Sequence, residues 1–196
     1  MDIHPVIFEG TYVRLEPLDI RHAEDLYAVG KEGSIWQYML RPALTSITDG
    51  RHWIEEAIAS ATNGSQLPFS IIDKKSTRAV GSTRYLDIRP TDRALEIGWT
   101  WLGIPYQGTS INTECKYLLL QHAFEKLGAV RVQLKTDLRN QHSQRAIERI
   151  GGVREGVLRK HMILWDGYCR DTVYFSILED EWPSVRKRLE GLLERQ

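Results

Sequence analysis

One stretch in the middle of the chain, residues 99–127, constrains the fold more than any other. It begins with the largely apolar residues 99–104, continues through a polar loop at 107–112, and ends in a long amphipathic run. Apolar side chains recur in that run at helical spacing, at Ile111, Cys115, Leu118, Leu119, Ala123 and Leu127. Gly128 follows, at a position where helices commonly end. The pattern predicts a strand, a polar loop and a helix in direct succession.

The loop from Gln107 to Asn112 predicts an anion site, because it holds a glycine and short polar residues immediately before the helix. The first N–H groups of a helix lack intrahelical acceptors, and the helix dipole adds partial positive charge at the same end. Phosphate is a typical ligand of such a terminus. No Lys-Ser or Lys-Thr pair follows the loop, and no Gly-x-Gly-x-x-Gly is present, so neither a P-loop nor the dinucleotide fingerprint is indicated.

The loop resembles the coenzyme A loop of the GCN5-related N-acetyltransferases (GNAT family), whose motif is Gln/Arg-x-x-Gly-x-Gly/Ala. Gln107-Gly-Thr-Ser-Ile-Asn112 departs from it at two positions, where Ser110 and Asn112 replace small residues of the motif. A second block, Asn140 to Gly152, is similar to the segment beside the pantetheine arm in these enzymes. The order of the blocks, and the tail from Gly156 to Leu178, look like the branch of the ribosomal-protein N-terminal acetyltransferases.

The resemblance covers roughly residues 8–182 and implies a single-domain α/β GNAT fold over residues 1–196. In that fold a mixed, mostly antiparallel central sheet splays in the middle and is flanked by helices. The patterning agrees, since strands alternate with helices in the middle of the chain and a hairpin about Asp166-Gly167 follows. One of the predicted helices ends near Asn63.

Composition narrows the classes of partner and location. The 196 residues carry 26 Lys and Arg and 26 Asp and Glu, and this balance argues against a general nucleic-acid or membrane-surface binder. No apolar run approaches the ~20 residues needed to cross a bilayer, and the first residues lack a signal-peptide pattern. The two cysteines, Cys115 and Cys169, suggest neither a disulfide framework nor a metal site. We expect a cytoplasmic protein without a metal.

The resemblance implies coenzyme A contacts of three kinds. Backbone donors of the loop would hold the diphosphate, and backbone groups of the preceding strand would pair with pantetheine. Asn140 would cap the next helix, bind the pantetheine amide, or do both, whereas Arg145 is either a phosphate ligand or an ordinary exposed helical arginine. The implied residues are Trp101, Leu102, Ile104, Gln107, Gly108, Thr109, Ser110, Ile111, Asn112, Asn140 and Arg145.

Two residues are candidates for proton transfer. Glu96 is the candidate general base, because strand alternation places it beside small residues and opposite an apolar face formed by Leu95, Ile97, Trp99 and Trp101. The alternative is that Glu96 pairs with an arginine or lysine on an adjacent strand. By resemblance, Ser143 would protonate the leaving thiolate; the alternative is a helix-capping serine.

Four residues are candidates for contact with the acceptor, and each has a structural alternative. Trp36 and Tyr38 are candidate walls of its pocket or, alternatively, core aromatics. His161 and Tyr174 are candidate acceptor contacts or hydrogen-bonded structural residues. Neither cysteine is placed to carry an acyl group, so we expect direct acetyl transfer from acetyl-CoA to an amine, either a protein N-terminus or a small molecule. A non-catalytic coenzyme A-binding module is the alternative, and homodimerisation is implied by resemblance alone.

Overall fold

The chain folds around one eight-stranded sheet in a computed structural model that describes residues 1–62 and 64–195. The strands lie in the spatial order β1-β2-β3-β4-β5-β6-β8-β7. Neighbouring strands are antiparallel except β5 and β6, which run parallel. This confirms the predicted mixed, mostly antiparallel sheet. The strands are β1 (Phe8–Glu9), β2 (Val13–Pro17), β3 (Leu67–Asp73), β4 (Arg78–Arg89), β5 (Ala94–Leu102), β6 (Arg131–Asp137), β7 (Val153–Ile163) and β8 (Cys169–Leu178).

Helices cover both faces of the sheet, and each set has its own buried cluster. The α4-side core contains residues of α4, α5 and α6, whereas the α1-side core contains residues of α1, α2 and α3. The helices are α1 (Ala23–Gly30), α2 (Gly33–Trp36), α3 (Ile47–Ala61), α4 (Ser110–Gln121), α5 (Gln141–Arg149) and α6 (Trp182–Leu193). The helix end predicted near Asn63 falls on a position outside the described residues. Among those residues, no helix is both long and apolar enough to cross a membrane.

The predicted splay lies between β5 and β6. These strands pair only from Ala94 to Glu96 on β5 and from Arg131 to Gln133 on β6. Beyond that point β5 continues alongside β4, and β6 continues alongside β8. The edges of β5 and β6 that face each other are therefore no longer paired, and a gap opens in the middle of the sheet.

A β-bulge corrects the predicted alternation of β5. The pairing with β4 slips by one residue between Gly98 and Trp101, and Trp99 takes φ +50°. Strict alternation placed Trp101 on the same face as Leu95 and Ile97, but this was wrong, because the extra residue turns the rest of the strand over. Trp101 packs in the α1-side core, whereas Leu95 and Ile97 belong to the α4-side core.

A carboxylate from α4 holds the beginning of β2 in place. Glu114, 4% exposed, accepts the backbone N–H groups of Thr11, Tyr12 and Val13 at 2.7, 2.6 and 2.7 Å. Gly10 precedes these donors, and a Cβ there would lie 2.5 Å from the Glu114 carboxyl carbon. The helix that begins at the predicted loop is thus tied to β2, the second strand from one edge of the sheet, through charge-assisted hydrogen bonds.

Candidate active site

The gap in the sheet opens into a cavity of about 450 Å³. Its walls come from β5 at residues 96–102, from β6 at residues 134–136, from residues 140–150 and from the segment at residues 34–40. The loop before α4 also lines the cavity. One continuous space therefore connects the predicted anion site with the polar groups at the split between β5 and β6.

The loop before α4 has the expected shape but fewer available donors than expected. Gly108 has φ +72°, a left-handed conformation that favours glycine, and Thr109 is the N-cap of α4. The Thr109 hydroxyl accepts the Ile111 N–H at 3.3 Å, and the Gln107 N–H donates to the Ile104 carbonyl at 3.2 Å. Two of the predicted donors thus have acceptors within the chain. We retain the amides of Gly108, Thr109 and Asn112 for the proposed diphosphate site.

The cavity brings together about half of the residues implied for coenzyme A. Those that line it are Trp101, Leu102, Gln107, Gly108, Asn112 and Asn140. Those that do not line it are Ile104, Thr109, Ser110, Ile111 and Arg145. Ile111 is buried in the α4-side core, and Arg145 is exposed on α5, which favours the simpler interpretation of each side chain. A backbone amide can still serve a ligand when its own side chain points elsewhere.

The Asn112 side chain supplies a test of whether the site fits a pantetheine arm. Its Oδ1 atom is buried and has no hydrogen-bond partner among the described residues. A buried acceptor without a donor is unusual and unfavourable. The arm of coenzyme A carries amide N–H groups that could supply the missing donor. The polarity of this wall therefore fits the implied cosubstrate.

Glu96 lies at the last paired position before the gap and lines the cavity. The residue is 2% exposed, and its carboxylate is 2.9 Å from the Lys135 ammonium group and accepts a hydrogen bond from the Gln133 side chain at 2.9 Å. The ion pair with a neighbouring strand, which was the alternative to a general base, is therefore present. Glu96 also lines the cavity, so the residue that forms this ion pair is the same one that we propose as the general base.

Ser143 lines the cavity near the beginning of α5, but it does not cap that helix. Asn140 is the N-cap, and its Oδ1 accepts the Ser143 N–H at 3.0 Å. The predicted capping role of Asn140 is thus confirmed, and the capping alternative for Ser143 is wrong. The cap fixes Ser143 in the first turn of α5, on the wall of the cavity.

Only one of the four predicted acceptor residues lines the cavity, and it is Tyr38. Trp36 is fully buried in the α1-side core, where its indole N–H donates to the Gly30 carbonyl at 2.6 Å. His161 and Tyr174 lie outside the cavity, with the Tyr174 hydroxyl 3.4 Å from His161 Nε2. Burial and then the charge of Lys135 lower the pKa of His161. These placements favour the structural alternatives for Trp36, His161 and Tyr174.

The cavity is also lined by three cationic residues that were not predicted from the sequence, namely Lys116, Lys135 and Arg170. Lys116 is 6% exposed, and its ammonium group donates to the Thr100 hydroxyl at 2.6 Å. Burial lowers the pKa of Lys116 to about 8. The available signal was a lysine one helical turn after Asn112, within a helix that is otherwise largely apolar. Strand positions gave no signal for Lys135 and Arg170, because their neighbours come from distant parts of the chain.

Replacing Lys116 with methionine is expected to stabilise the fold at pH 7 by up to about 3 kcal/mol. At pH 7 the Lys116 amine is protonated in both the folded and the unfolded chain. The wild-type fold therefore buries an ammonium group, which donates to the Thr100 hydroxyl. Between pH 8 and 10.5 the unfolded chain binds a proton that the folded chain has lost, so wild-type stability from this group rises with pH. Urea unfolding at pH 7 and 9.5 measures the difference, which should shrink at the higher pH. A less stable methionine variant at pH 7 would contradict the expectation.

The described residues contain no group of three or more His, Cys, Asp or Glu side chains arranged to hold a metal ion.

The split between β5 and β6, with the start of α4 and a polar cavity beside it, agrees with the fold that the resemblance implied. Comparison with known families agrees: residues 13–153 match the family described as acetyltransferase (GNAT) domain. The chain belongs to the GNAT acetyltransferase family, and the resemblance found in the sequence is confirmed.

Individual relatives extend the match over nearly the whole chain. A crystal structure of a GCN5-related N-acetyltransferase from Brucella melitensis has a TM-score of 0.91 at 31% identity, covering 97% of this chain and 86% of that one. A provisionally assigned acetyltransferase from T. thermophilus has a TM-score of 0.89 at 40% identity, covering 98% and 100%. YdaF of Bacillus subtilis (strain 168), provisionally named a ribosomal N-acetyltransferase, is 35% identical over 95 residues. That match covers 48% of this chain and 51% of YdaF, so the chain spans about half the length of this relative.

Proposed function

We propose that the protein transfers an acetyl group from acetyl-CoA directly to a primary amine. Membership of the acetyltransferase family supports the reaction class. The observation that carries the proposal is the cavity at the split, which reaches from the loop before α4 to Glu96 and Ser143. Such a space can hold a thioester between a group that accepts a proton and a group that gives one.

The proposed cosubstrate site uses two features of the backbone. The amides of Gly108, Thr109 and Asn112 would face the diphosphate at the positive end of α4. The pantetheine arm would then enter the gap between β5 and β6, where each strand lacks a partner on its inner edge. An extended chain with amide groups can pair with such an edge as an added strand does. Acetyl-CoA supplies the activated acyl group there.

Proton transfer in the proposed reaction involves two side chains. Glu96 takes a proton from the acceptor ammonium group, and the free amine forms a C–N bond to the thioester carbonyl. The C–S bond then breaks, the nitrogen releases its second proton to solvent, and the thiolate receives a proton from the Ser143 hydroxyl. Ser143 regains its proton from solvent, and Glu96 returns its proton to solvent. The products are an N-acetyl amine and free coenzyme A.

Replacing Ser143 with alanine is expected to lower kcat about tenfold or more, because the thiolate loses its proposed proton donor. The Kd for acetyl-CoA should change less than about twofold, since Asn140 and not Ser143 caps α5. Steady-state kinetics and calorimetric titration with coenzyme A measure the two quantities separately. A large loss of affinity with unchanged kcat would assign Ser143 to binding instead of proton transfer.

A screen for thiol release tests the proposed function directly. Purified protein is mixed with acetyl-CoA and a panel of amines, which includes peptide N-termini, polyamines and amino acids, and free thiol is measured. We expect amine-dependent thiol release with at least one acceptor. Binding of coenzyme A without thiol release on any acceptor would favour the non-catalytic coenzyme A-binding module.

The acceptor, location and assembly remain predictions. The name of YdaF supports a ribosomal protein N-terminus as one acceptor, and a small-molecule amine is the other. A cytoplasmic location is the expectation from the sequence, and a homodimer is implied by the family resemblance alone. Sedimentation analysis of the purified chain tests the dimer.

A further inference from the structure

Arg170 is a buried cation of the cavity whose guanidinium is only partly hydrogen-bonded among the described residues. The residue lies on β8, lines the cavity and is 7% exposed. One terminal nitrogen donates to the Tyr38 carbonyl at 3.3 Å, while the Nε atom is buried and has no hydrogen-bond partner in the described part of the chain. Within the same residues, Arg170 forms no ion pair. Its fork of donors is therefore incompletely used.

The acidic groups nearest to Arg170 are already engaged elsewhere. The Glu96 carboxylate pairs with Lys135 at 2.9 Å, and the Asp137 carboxylate pairs with Arg139 at 2.7 Å. Burial lowers the pKa of the Arg170 guanidinium, whereas Asp137 and Glu96 act in the opposite direction. The Tyr174 hydroxyl and the Arg139 guanidinium are the other two groups whose charges affect this pKa. Arg170 thus remains a positive charge in excess of its local counter-charges.

Burying a charge without a counter-charge is unfavourable, because the charge loses its hydration and gains no partner. It also repels a second cation that enters the same cavity. An acceptor amine with no other charge would arrive as an ammonium ion and meet this repulsion. An amine that also bears an anionic group would arrive without net charge and would provide Arg170 with the missing partner.

On the basis of the proposed acetyltransferase function, we propose that the acceptor carries a carboxylate beside its amine and that Arg170 binds this carboxylate. One planar guanidinium with a free edge matches one carboxylate, because the two groups can form parallel hydrogen bonds. Tyr38 also lines the cavity and holds Arg170 through its backbone carbonyl. The carboxylate could be the α-carboxylate of a free amino acid or the side chain of an acidic residue at a peptide N-terminus.

A matched set of acceptors tests the proposal on the wild-type protein. L-Phenylalanine, L-phenylalaninamide and phenethylamine keep one side chain while the carboxylate is neutralised or removed; equivalent sets can be made for other amino acids. Peptide amides that begin with Asp or Asn test the side-chain source. Rates are expressed per unprotonated amine, because neutralising the carboxylate also changes the pKa of the amine. We expect kcat/KM to favour the carboxylate member of a set at least about tenfold.

Variants test whether Arg170 is the group that causes the preference for a carboxylate. Arg170→Gln should reduce the preference for the carboxylate member to about twofold or less, mainly through KM, whereas Arg170→Lys should retain part of it. Arg159→Gln is the matched control, because Arg159 is an exposed arginine of the same hairpin outside the cavity. It should keep the wild-type preference.

Results that contradict the carboxylate proposal differ from results that contradict the proposed acetyltransferase function. Equal use of acids, amides and amines by the wild-type protein would overturn the carboxylate proposal while leaving acetyl transfer intact. Absence of acetylation with every amine would instead contradict the proposed function. If Arg170→Gln does not fold, the alternative experiment measures inhibition of the wild-type protein by 3-phenylpropionate and by its amide. Inhibition by the acid in competition with the amine supports the proposal, and equal inhibition by both compounds contradicts it.

Discussion

Replacing Glu96 with glutamine is expected to lower kcat/KM for the amine about 100-fold. The amide keeps the shape of the side chain but cannot take a proton from the acceptor. The loss should be largest at low pH, where little of the amine is unprotonated and the base is most needed. Rates from pH 6 to 9 measure this effect, and an unchanged pH–rate profile would remove Glu96 from the mechanism.

The control for this experiment is Glu155→Gln. Glu155 also forms an ion pair with an arginine of another strand, Arg131 on β6, but it does not line the cavity. Its replacement should leave kcat/KM within about twofold of the wild-type value. If Glu96 acts only through its ion pair with Lys135, Lys135→Met should reduce activity as strongly as Glu96→Gln. A much smaller loss in Lys135→Met is expected if Glu96 is the base.

Replacing Glu114 with glutamine is expected to reduce the free energy of unfolding by at least about 3 kcal/mol. Three backbone N–H groups, from Thr11, Tyr12 and Val13, donate to this carboxylate. The amide would offer them one oxygen, and its NH₂ group would face a donor. At least one of the three donors then loses its acceptor, and the remaining bonds are no longer charge-assisted, which makes them weaker.

Urea unfolding measures this loss, with Glu148→Gln as the control because Glu148 is an exposed carboxylate on α5. The control should change the free energy of unfolding by less than about 0.5 kcal/mol. Glu114→Gln should also weaken coenzyme A binding indirectly, since Glu114 lies in the first turns of the helix that begins at the proposed diphosphate loop. A Glu114 variant as stable as the control would contradict the tether between α4 and β2.

Local periodicity predicted the order of elements around the site because it depends on neighbouring residues. The apolar spacing from Ile111 to Leu127 indicated the central helix, which continues through a π-helical turn at His122–Lys126. Gly128 has φ +65°, as expected of a glycine that ends a helix. The splay of the sheet came from the resemblance and not from the pattern, since strand separation has no period of its own.

The bulge at Trp99 and the charges of the cavity could not be predicted in the same way. A bulge breaks the alternation from which the face of each side chain is inferred, and the residue types at Trp99 and Trp101 also suit a regular strand. Lys135 and Arg170 lie on β6 and β8, and only the folded sheet brings them close to Glu96 on β5. Ion-pair partners on different strands could therefore be identified only from the structure.

A crystal structure of the protein with coenzyme A bound tests the central claim most directly. We expect the diphosphate on the backbone amides of Gly108, Thr109 and Asn112, and the pantetheine arm between β5 and β6 with its thiol end near Ser143. Coenzyme A bound elsewhere, or bound with its diphosphate away from the beginning of α4 and the gap unoccupied, would contradict the claim.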